Sequence, residues 1–243
     1  MDIMEFIQEN WLPIFLIVYF LGMALYGYCR GVLRLAVSMA AFLVSFFPVR
    51  LMVPQVILFI KKNTNIHSWL REVMKKAVGL EKIGSSNFFL PAQQKTLIEG
   101  SPLPDTIKKI LIENNNEKIY QLLGVDAFAD YVGSFLADRI ISTLVFVVLL
   151  LVIYIGIRVL VHSLDIISKL PILHGLNQIS GSVLGLAEAL IYFWIVCLLL
   201  TIFIGTSWGQ YLLTNIEKTP WVFFLYKNNL LIRGLTSVLW SLL

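Results

Sequence analysis

Four stretches of the chain run almost without charge. Residues 11–29, WLPIFLIVYFLGMALYGYC, contain no Asp, Glu, Lys or Arg. A helix needs about 20 predominantly apolar residues to cross a bilayer, so this stretch predicts a first span. Trp11 and Tyr28 suit the aromatic belts at the two interfaces. Pro13 falls in the first helical turn, where a missing N–H costs nothing. A second run covers residues 35–52, with Arg50 placed to snorkel toward headgroups. Pro48 and Pro54 predict that this helix kinks or ends there, leaving residues 51–60 at the interface before Lys61-Lys62. Residues 140–157 form an uncharged third run of 18 residues. Residues 182–205 form a fourth, interrupted only by Glu188.

The periodicity changes in residues 61–139, the only polar region. HSWLREVMKKAVGL sets Trp69, Leu70, Val73, Met74, Ala77 and Val78 along one helical face. PDTIKKILI does the same with Ile107, Ile110 and Leu111, and DAFADYVGSFLADRII with Phe128, Tyr131, Val132, Phe135 and Leu136. GSPLP at 100–104 and NNN at 114–116 read as breaks between these helices. The region predicts an amphipathic helical insertion that packs on itself or on the bilayer surface; a ligand-binding domain is the other reading. The tail, 206–243, is apolar but divided by Lys227 and Arg233, and only ten residues follow Arg233. That is too few to cross. With Trp208, Trp221 and Trp240, the tail reads as helices lying in the interface.

The domains expected are therefore a first transmembrane hairpin (1–60), the insertion (61–139), a second transmembrane hairpin (140–205) and the interfacial tail (206–243). The fold class is an all-α integral membrane protein with four transmembrane helices. Composition agrees: 58% of the 243 residues are hydrophobic and 14% charged, against about 45–50% and about 25% in soluble domains. The net charge of +4 carries no basic run interleaved with aromatics, which argues against a nucleic-acid partner.

Charge placement matters more than its sum. The turn after the first run holds Arg30 and Arg34 and no acid. The turn after the third holds Arg158 and Lys169 against Asp165. The N-terminal flank holds Asp2, Glu5 and Glu9 and no basic residue, so it lacks the start of a secretory signal and the first run is expected to remain. Short cytoplasmic loops carry excess Lys and Arg. Both short turns are thus expected in the cytoplasm, with the N-terminus, the insertion and the C-terminus on the other side. Arg30 and Arg34 are topology anchors on this reading.

Candidate chemistry is sparse. Cys29 and Cys197 form no CxxC pair and read as packing residues. His67, His162 and His174 are scattered; His162 and Asp165 stand at i, i+3, as an oriented imidazole or a solvated helix end would. There is no HExxH, GxSxG or P-loop. The runs offer only Glu188 and scattered serines, so no catalytic, cofactor-binding or metal residue is assigned and no enzyme is expected. Gly181 and Gly185, four apart, offer a face for close backbone approach, either to a helix of the same chain or to a second copy. Glu188 needs a partner in a bilayer. Arg158 and Glu188 each lie 15 residues from Leu173, the middle of LPILHG, so a hairpin sets them at equal depth and predicts an ion pair.

The order of these features resembles the CvpA (colicin V production protein) family of bacterial inner-membrane proteins. The resemblance rests on Arg30-Gly31, Val32-Leu33-Arg34 leading into the second helix, the polar insertion, the third span and its turn, and LNQISGSVLGLAEAL with Gly181 and Gly185. It covers roughly residues 15–205, and the extracytoplasmic insertion marks a long variant. It implies a multi-pass inner-membrane protein that supports toxin production or secretion and envelope homeostasis. The family supplies no catalytic residue to carry over. The function expected is non-enzymatic, organising a membrane complex with the lipid bilayer and with further copies or other envelope proteins as partners. The alternative is an oligomeric channel or transporter for an ion or small solute.

Overall fold

In a computed structural model, residues 10–81, 90–163 and 174–232 are described, without the side chains of 162–163 and 174–176. Ten α-helices and no strand lie among the described residues: α1 Trp11–Arg30, α2 Val32–Asn63, α3 Ile66–Ala77, α4 Pro91–Glu99, α5 Asp105–Glu113, α6 Glu117–Leu123, α7 Phe128–Ser163, α8 His174–Ile202, α9 Ser207–Lys218 and α10 Pro220–Lys227. The chain is all-α, and α1, α2, α7 and α8 are each long and apolar enough to cross a membrane. Their outward faces fit a hydrocarbon solvent. Phe15, Val18 and Leu25 on α1, Phe47 and Leu51 on α2, and Val152, Ile155 and Val159 on α7 are all exposed. The acidic flank with Asp2, Glu5 and Glu9, the His162 side chain, the turn with Asp165, Lys169 and Leu173, and the end after Arg233 with Trp240 lie outside the described residues.

The second helix does not end at its prolines. α2 runs unbroken through Pro48 and Pro54. Each proline forfeits one backbone hydrogen bond. Ending the helix inside hydrocarbon would instead strand several backbone groups at once, each costing several kcal/mol. The buried residues Val49, Val53 and Ile57 recur every four residues across the prolines, so residues 51–60 belong to the packed helix. The third span likewise begins earlier than its uncharged run. α7 crosses the 139/140 boundary without a break. Val132, Leu136 and Ile140 form one buried stripe through it. Asp138 sits beside that stripe and is held from the side, by Lys61 Nζ at 2.7 Å and His67 Nε2 at 2.9 Å.

The chain divides into two compact units that alternate along the sequence. One comprises the described parts of 1–52, 147–197 and 215–232; the other comprises those of 53–146 and 198–214. In the second unit, Tyr131 is wholly buried, stacks on Tyr120 at 4.9 Å and donates from Oη to the Leu111 carbonyl at 2.7 Å. Around it lie Ile107, Leu111, Phe128, Val132 and Leu136, the apolar faces read from periodicity. Asn116 caps α6 by accepting from the Ile119 N–H at 3.2 Å, which explains why NNN is a break. α3 approaches α7 at Gly133, where an added Cβ would meet Lys75 Cγ and the Arg71 carbonyl. Lys75 there bridges Glu72 (2.9 Å) and Asp130 (3.0 Å). Desolvation lowers the pKa of Lys75, but these two hydrogen-bonded carboxylates outweigh it and hold the ammonium above its ordinary value. One expected core residue of α3 is placed differently: Met74 and Val78 are buried, while Trp69 is 64% exposed. A turn of helix can bury only part of so broad an apolar face.

In the first unit the tail is tied to a span. Trp194 Nε1 of α8 donates to the Leu225 carbonyl of α10 at 3.0 Å, and Asn229 Nδ2 donates back to the Trp194 carbonyl at 3.0 Å. Trp194 lies eight residues before the end of α8, about 12 Å along the axis at 1.5 Å per residue.

Replacing Tyr131 with Phe leaves the buried Leu111 carbonyl without its donor. The expected loss is about 1–3 kcal/mol, read as a lower denaturation midpoint of the full-length protein in detergent. An unchanged midpoint would show that the hydroxyl does not hold this unit together.

Candidate functional site

The functional geometry starts at the Arg-Gly turn. α1 ends because Gly31 takes φ +79°, a conformation that glycine adopts at little cost. Its N–H returns to the Gly27 carbonyl at 2.9 Å, and α2 begins at the next residue. Asn177 of α8 completes the turn from a distance, its Oδ1 accepting the Leu33 N–H at 3.4 Å. That N–H is one of the orphan donors at the start of α2. Arg30 lies over the Tyr26 ring at 5.1 Å, and both Arg30 and Arg34 are exposed.

Glycine lets α1 and α8 meet backbone to backbone. A Cβ on Gly27 would strike the Gly181 carbonyl, one on Gly181 the Gly27 carbonyl, and one on Gly185 the Met23 carbonyl. A Cβ on Gly31 would strike the Asn177 amide. One turn beyond Gly185, the Tyr19 hydroxyl donates to the Ala189 carbonyl at 3.2 Å. The pairs Gly31–Asn177, Gly27–Gly181, Met23–Gly185 and Tyr19–Ala189 step four residues down one helix and four up the other. This is a single antiparallel register. Gly181 and Gly185 thus accommodate a helix of the same chain.

Glu188 lies at the far end of this seam and is 6% exposed. Its Oε1 accepts from Tyr192 Oη at 2.7 Å and from Ser38 Oγ at 3.3 Å. Ser38 Oγ is 2.8 Å from Tyr154 Oη, and Arg158 Nη1 reaches Tyr154 Oη at 3.3 Å. The expected Arg158–Glu188 ion pair is not formed. Arg158 is exposed and ends on Tyr154, over whose ring its guanidinium lies at 5.9 Å. A guanidinium only donates. With the Ser38 proton directed at Glu188, Ser38 Oγ and the neighbouring Tyr192 hydroxyl are both open to accept from Tyr154. Arg158, Tyr154, Ser38 and Glu188 are thus linked end to end by polar contacts. The second oxygen, Glu188 Oε2, is buried and has no hydrogen-bond partner among the described residues.

Sequence reasoning named Arg30, Gly31, Arg34, Arg158, Gly181, Gly185 and Glu188. The structure joins Gly31, Gly181 and Gly185 in the seam and links Arg158 to Glu188 through two hydroxyls. It adds Gly27, Asn177, Tyr19, Ser38, Tyr154 and Tyr192. Three of these carried a signal: Gly27 with Gly31, Tyr192 with Glu188, and Tyr154 with Arg158 all stand at i, i+4. Of the cysteines, Cys197 is buried, whereas Cys29 is exposed. No group of three or more His, Cys, Asp or Glu among the described residues is arranged to hold a metal ion.

The seam makes a graded prediction. Ala at Gly27, Gly181 or Gly185 forces backbones apart and is expected to cost at least the roughly 1–3 kcal/mol of ordinary overpacking. Gly22 has open space around it, and its Ala variant is expected to be as stable as the parent. Thermal unfolding in detergent separates the two groups. Equal midpoints for Gly22→Ala and Gly181→Ala would remove the seam.

The family model described as colicin V production protein matches residues 120–222. No curated protein and no solved structure matches the chain. The matched segment holds α7, α8 and the residues Arg158, Gly181, Gly185 and Glu188, and α7 and α8 are two of the four helices long and apolar enough to cross a membrane. Over residues 120–222, the chain is similar to the colicin V production protein family.

Proposed function

We propose that this is a non-enzymatic protein of the bacterial inner membrane that organises a membrane complex, supporting colicin V-like toxin production or secretion and envelope homeostasis. Its partners are the bilayer and further copies or other envelope proteins. The observation that carries the reading is that polar side chains of the spans bond from one helix to another. Tyr19 donates to the Ala189 carbonyl, Ser38 and Tyr154 bond to each other, Ser45 donates to the Phe42 carbonyl and Thr201 to the Leu198 carbonyl. The first two cross between helices and hold them in place, while the last two satisfy a hydroxyl within its own helix; a conducting path needs polar groups that face a solute. The second reading, an oligomeric channel or transporter, is favoured by the unpartnered Oε2 of Glu188. Reconstitution of the protein alone in proteoliposomes, with crosslinking in cells, decides between them. The organising role predicts specific crosslinks and no flux. Solute flux without any partner would move the assignment to the channel.

The orientation proposed places both arginine-bearing turns in the cytoplasm and the N-terminus, residues 61–139 and the C-terminus outside it. The turn with Arg30 and Arg34, which carries no acid, supports it. In a Cys29→Ser background, a cysteine replacing the exposed Lys95 is expected to react with an impermeant thiol reagent in intact cells whose outer barrier admits it. A cysteine replacing Gln178 is expected to react only after lysis. Labelling of the second position in intact cells overturns the orientation.

A further inference from the structure

The two oxygens of the Glu188 carboxyl are not equivalent. Oε1 receives the hydroxyl protons of Tyr192 and Ser38, while Oε2 receives none and is buried. In a bilayer, a carboxylate so placed calls for compensation of its charge. Arg158 does not supply it by contact, since its guanidinium ends on Tyr154, two hydroxyls away. Donors aimed at Oε1 make that oxygen a poor seat for a cation. Oε2 has no donor pointing at it and is the more negative end of the group. The neighbouring hydroxyl oxygens also keep lone pairs: Tyr192 Oη donates to Oε1, and Tyr19 Oη donates to the carbonyl of Ala189, the residue after Glu188.

We infer that Glu188 Oε2 is the seat of a singly charged cation, a proton or an alkali-metal ion, taken up within the membrane-spanning helices. Single charge follows from the ligand set: one carboxylate among neutral hydroxyls. Divalent ions draw on several carboxylates or carbonyls, and no acidic cluster of that kind occurs among the described residues. For a proton, a hydronium ion of the solvent gives up one O–H bond and becomes water, an O–H bond forms on Oε2, and the carboxylate becomes the neutral acid. For an alkali ion, the carboxylate stays charged and its charge is neutralised in place. The titratable and charged groups around Glu188 among the described residues are Tyr19 from α1, Tyr154 and Arg158 from α7, and Tyr192 from α8 itself; α2 contributes the Ser38 hydroxyl. The inference stands whether the protein organises a complex or conducts, because it concerns binding alone.

The test uses the full-length protein in nanodiscs, with thermal unfolding followed in NaCl, KCl or N-methyl-D-glucamine chloride at fixed ionic strength and across a pH series. An alkali-ion site gives a saturable rise in Tm with Na+ or K+ that Glu188→Gln abolishes. A proton site gives no dependence on ion identity, but a pH response of Tm that differs between the parent and Glu188→Gln. It also gives an infrared C=O stretch of a protonated carboxyl that the variant lacks. Tyr192→Phe removes a donor to Oε1 and keeps Oε2. It is expected to shift the midpoint of either response by about tenfold in cation activity, as for loss of a hydrogen bond to a charged group. Identical ion and pH responses in the parent and Glu188→Gln overturn the inference. If Glu188→Gln does not fold, an unmoved midpoint in Tyr192→Phe overturns it instead.

Discussion

Where α1 and α8 cross, no side chain separates their backbones. Gly27, Gly181 and Gly185 remove every Cβ from the contact, and carbonyl oxygens occupy the space that those atoms would fill. In lipid, apolar side chains gain little by leaving the solvent, so close packing of this kind is a main source of helix association. Much else in the first unit follows from it. The register that pairs Gly27 with Gly181 also brings Asn177 to the start of α2 and Tyr19 to Ala189. The Arg-Gly turn is then held from both sides: by its own glycine, which permits the positive φ, and by an amide that arrives from another helix.

The bilayer sets the second constraint. It explains why two prolines do not end α2, why the outward faces of α1, α2 and α7 carry exposed large apolar residues, and why Ser45 and Thr201 bond back to carbonyls of their own helices. Tyr154 and Ser38 can each donate only one proton. They stand between a group that only donates and one that accepts. The chain thereby connects an exposed arginine to a buried glutamate without letting them touch.

The spans were legible because their signal is length and lack of charge, which needs no partner to interpret. The amphipathic faces around Tyr131, Ile107 and Leu111 were legible from periodicity. Trp69 was not, because periodicity finds an apolar face without saying how much of it another helix covers. Pro48 and Pro54 predict a kink or an end, and the domain boundary at 139/140 follows charge; α2 and α7 are continuous helices through these positions. The buried stripes through Val49, Val53 and Ile57 and through Leu136 and Ile140 run past both. For Arg158 and Glu188, hairpin symmetry fixes depth but not direction around the axis. Both residues reach the same hydrogen-bond chain, yet the arginine is turned outward and meets it only at Tyr154. The trans cap by Asn177 has no local signature, because its partner N–H lies 144 residues away.

On α8 the seam and the carboxylate share one face. At about 100° per residue, Gly181, Gly185, Glu188 and Tyr192 fall within an arc of about 60°. Glycines form the part of the arc nearest the Arg-Gly turn, and the acid and tyrosine form the part beyond it. Packing in the first part therefore draws α1 against the second, where Tyr19 bonds beside Glu188. The burial of Oε2 then follows from glycine packing one and two turns away. Any change that loosened the seam would act on the environment of the carboxylate without altering a residue that touches it. Stability of the α1–α8 pair and occupancy of Oε2 are in this way properties of one stripe of one helix.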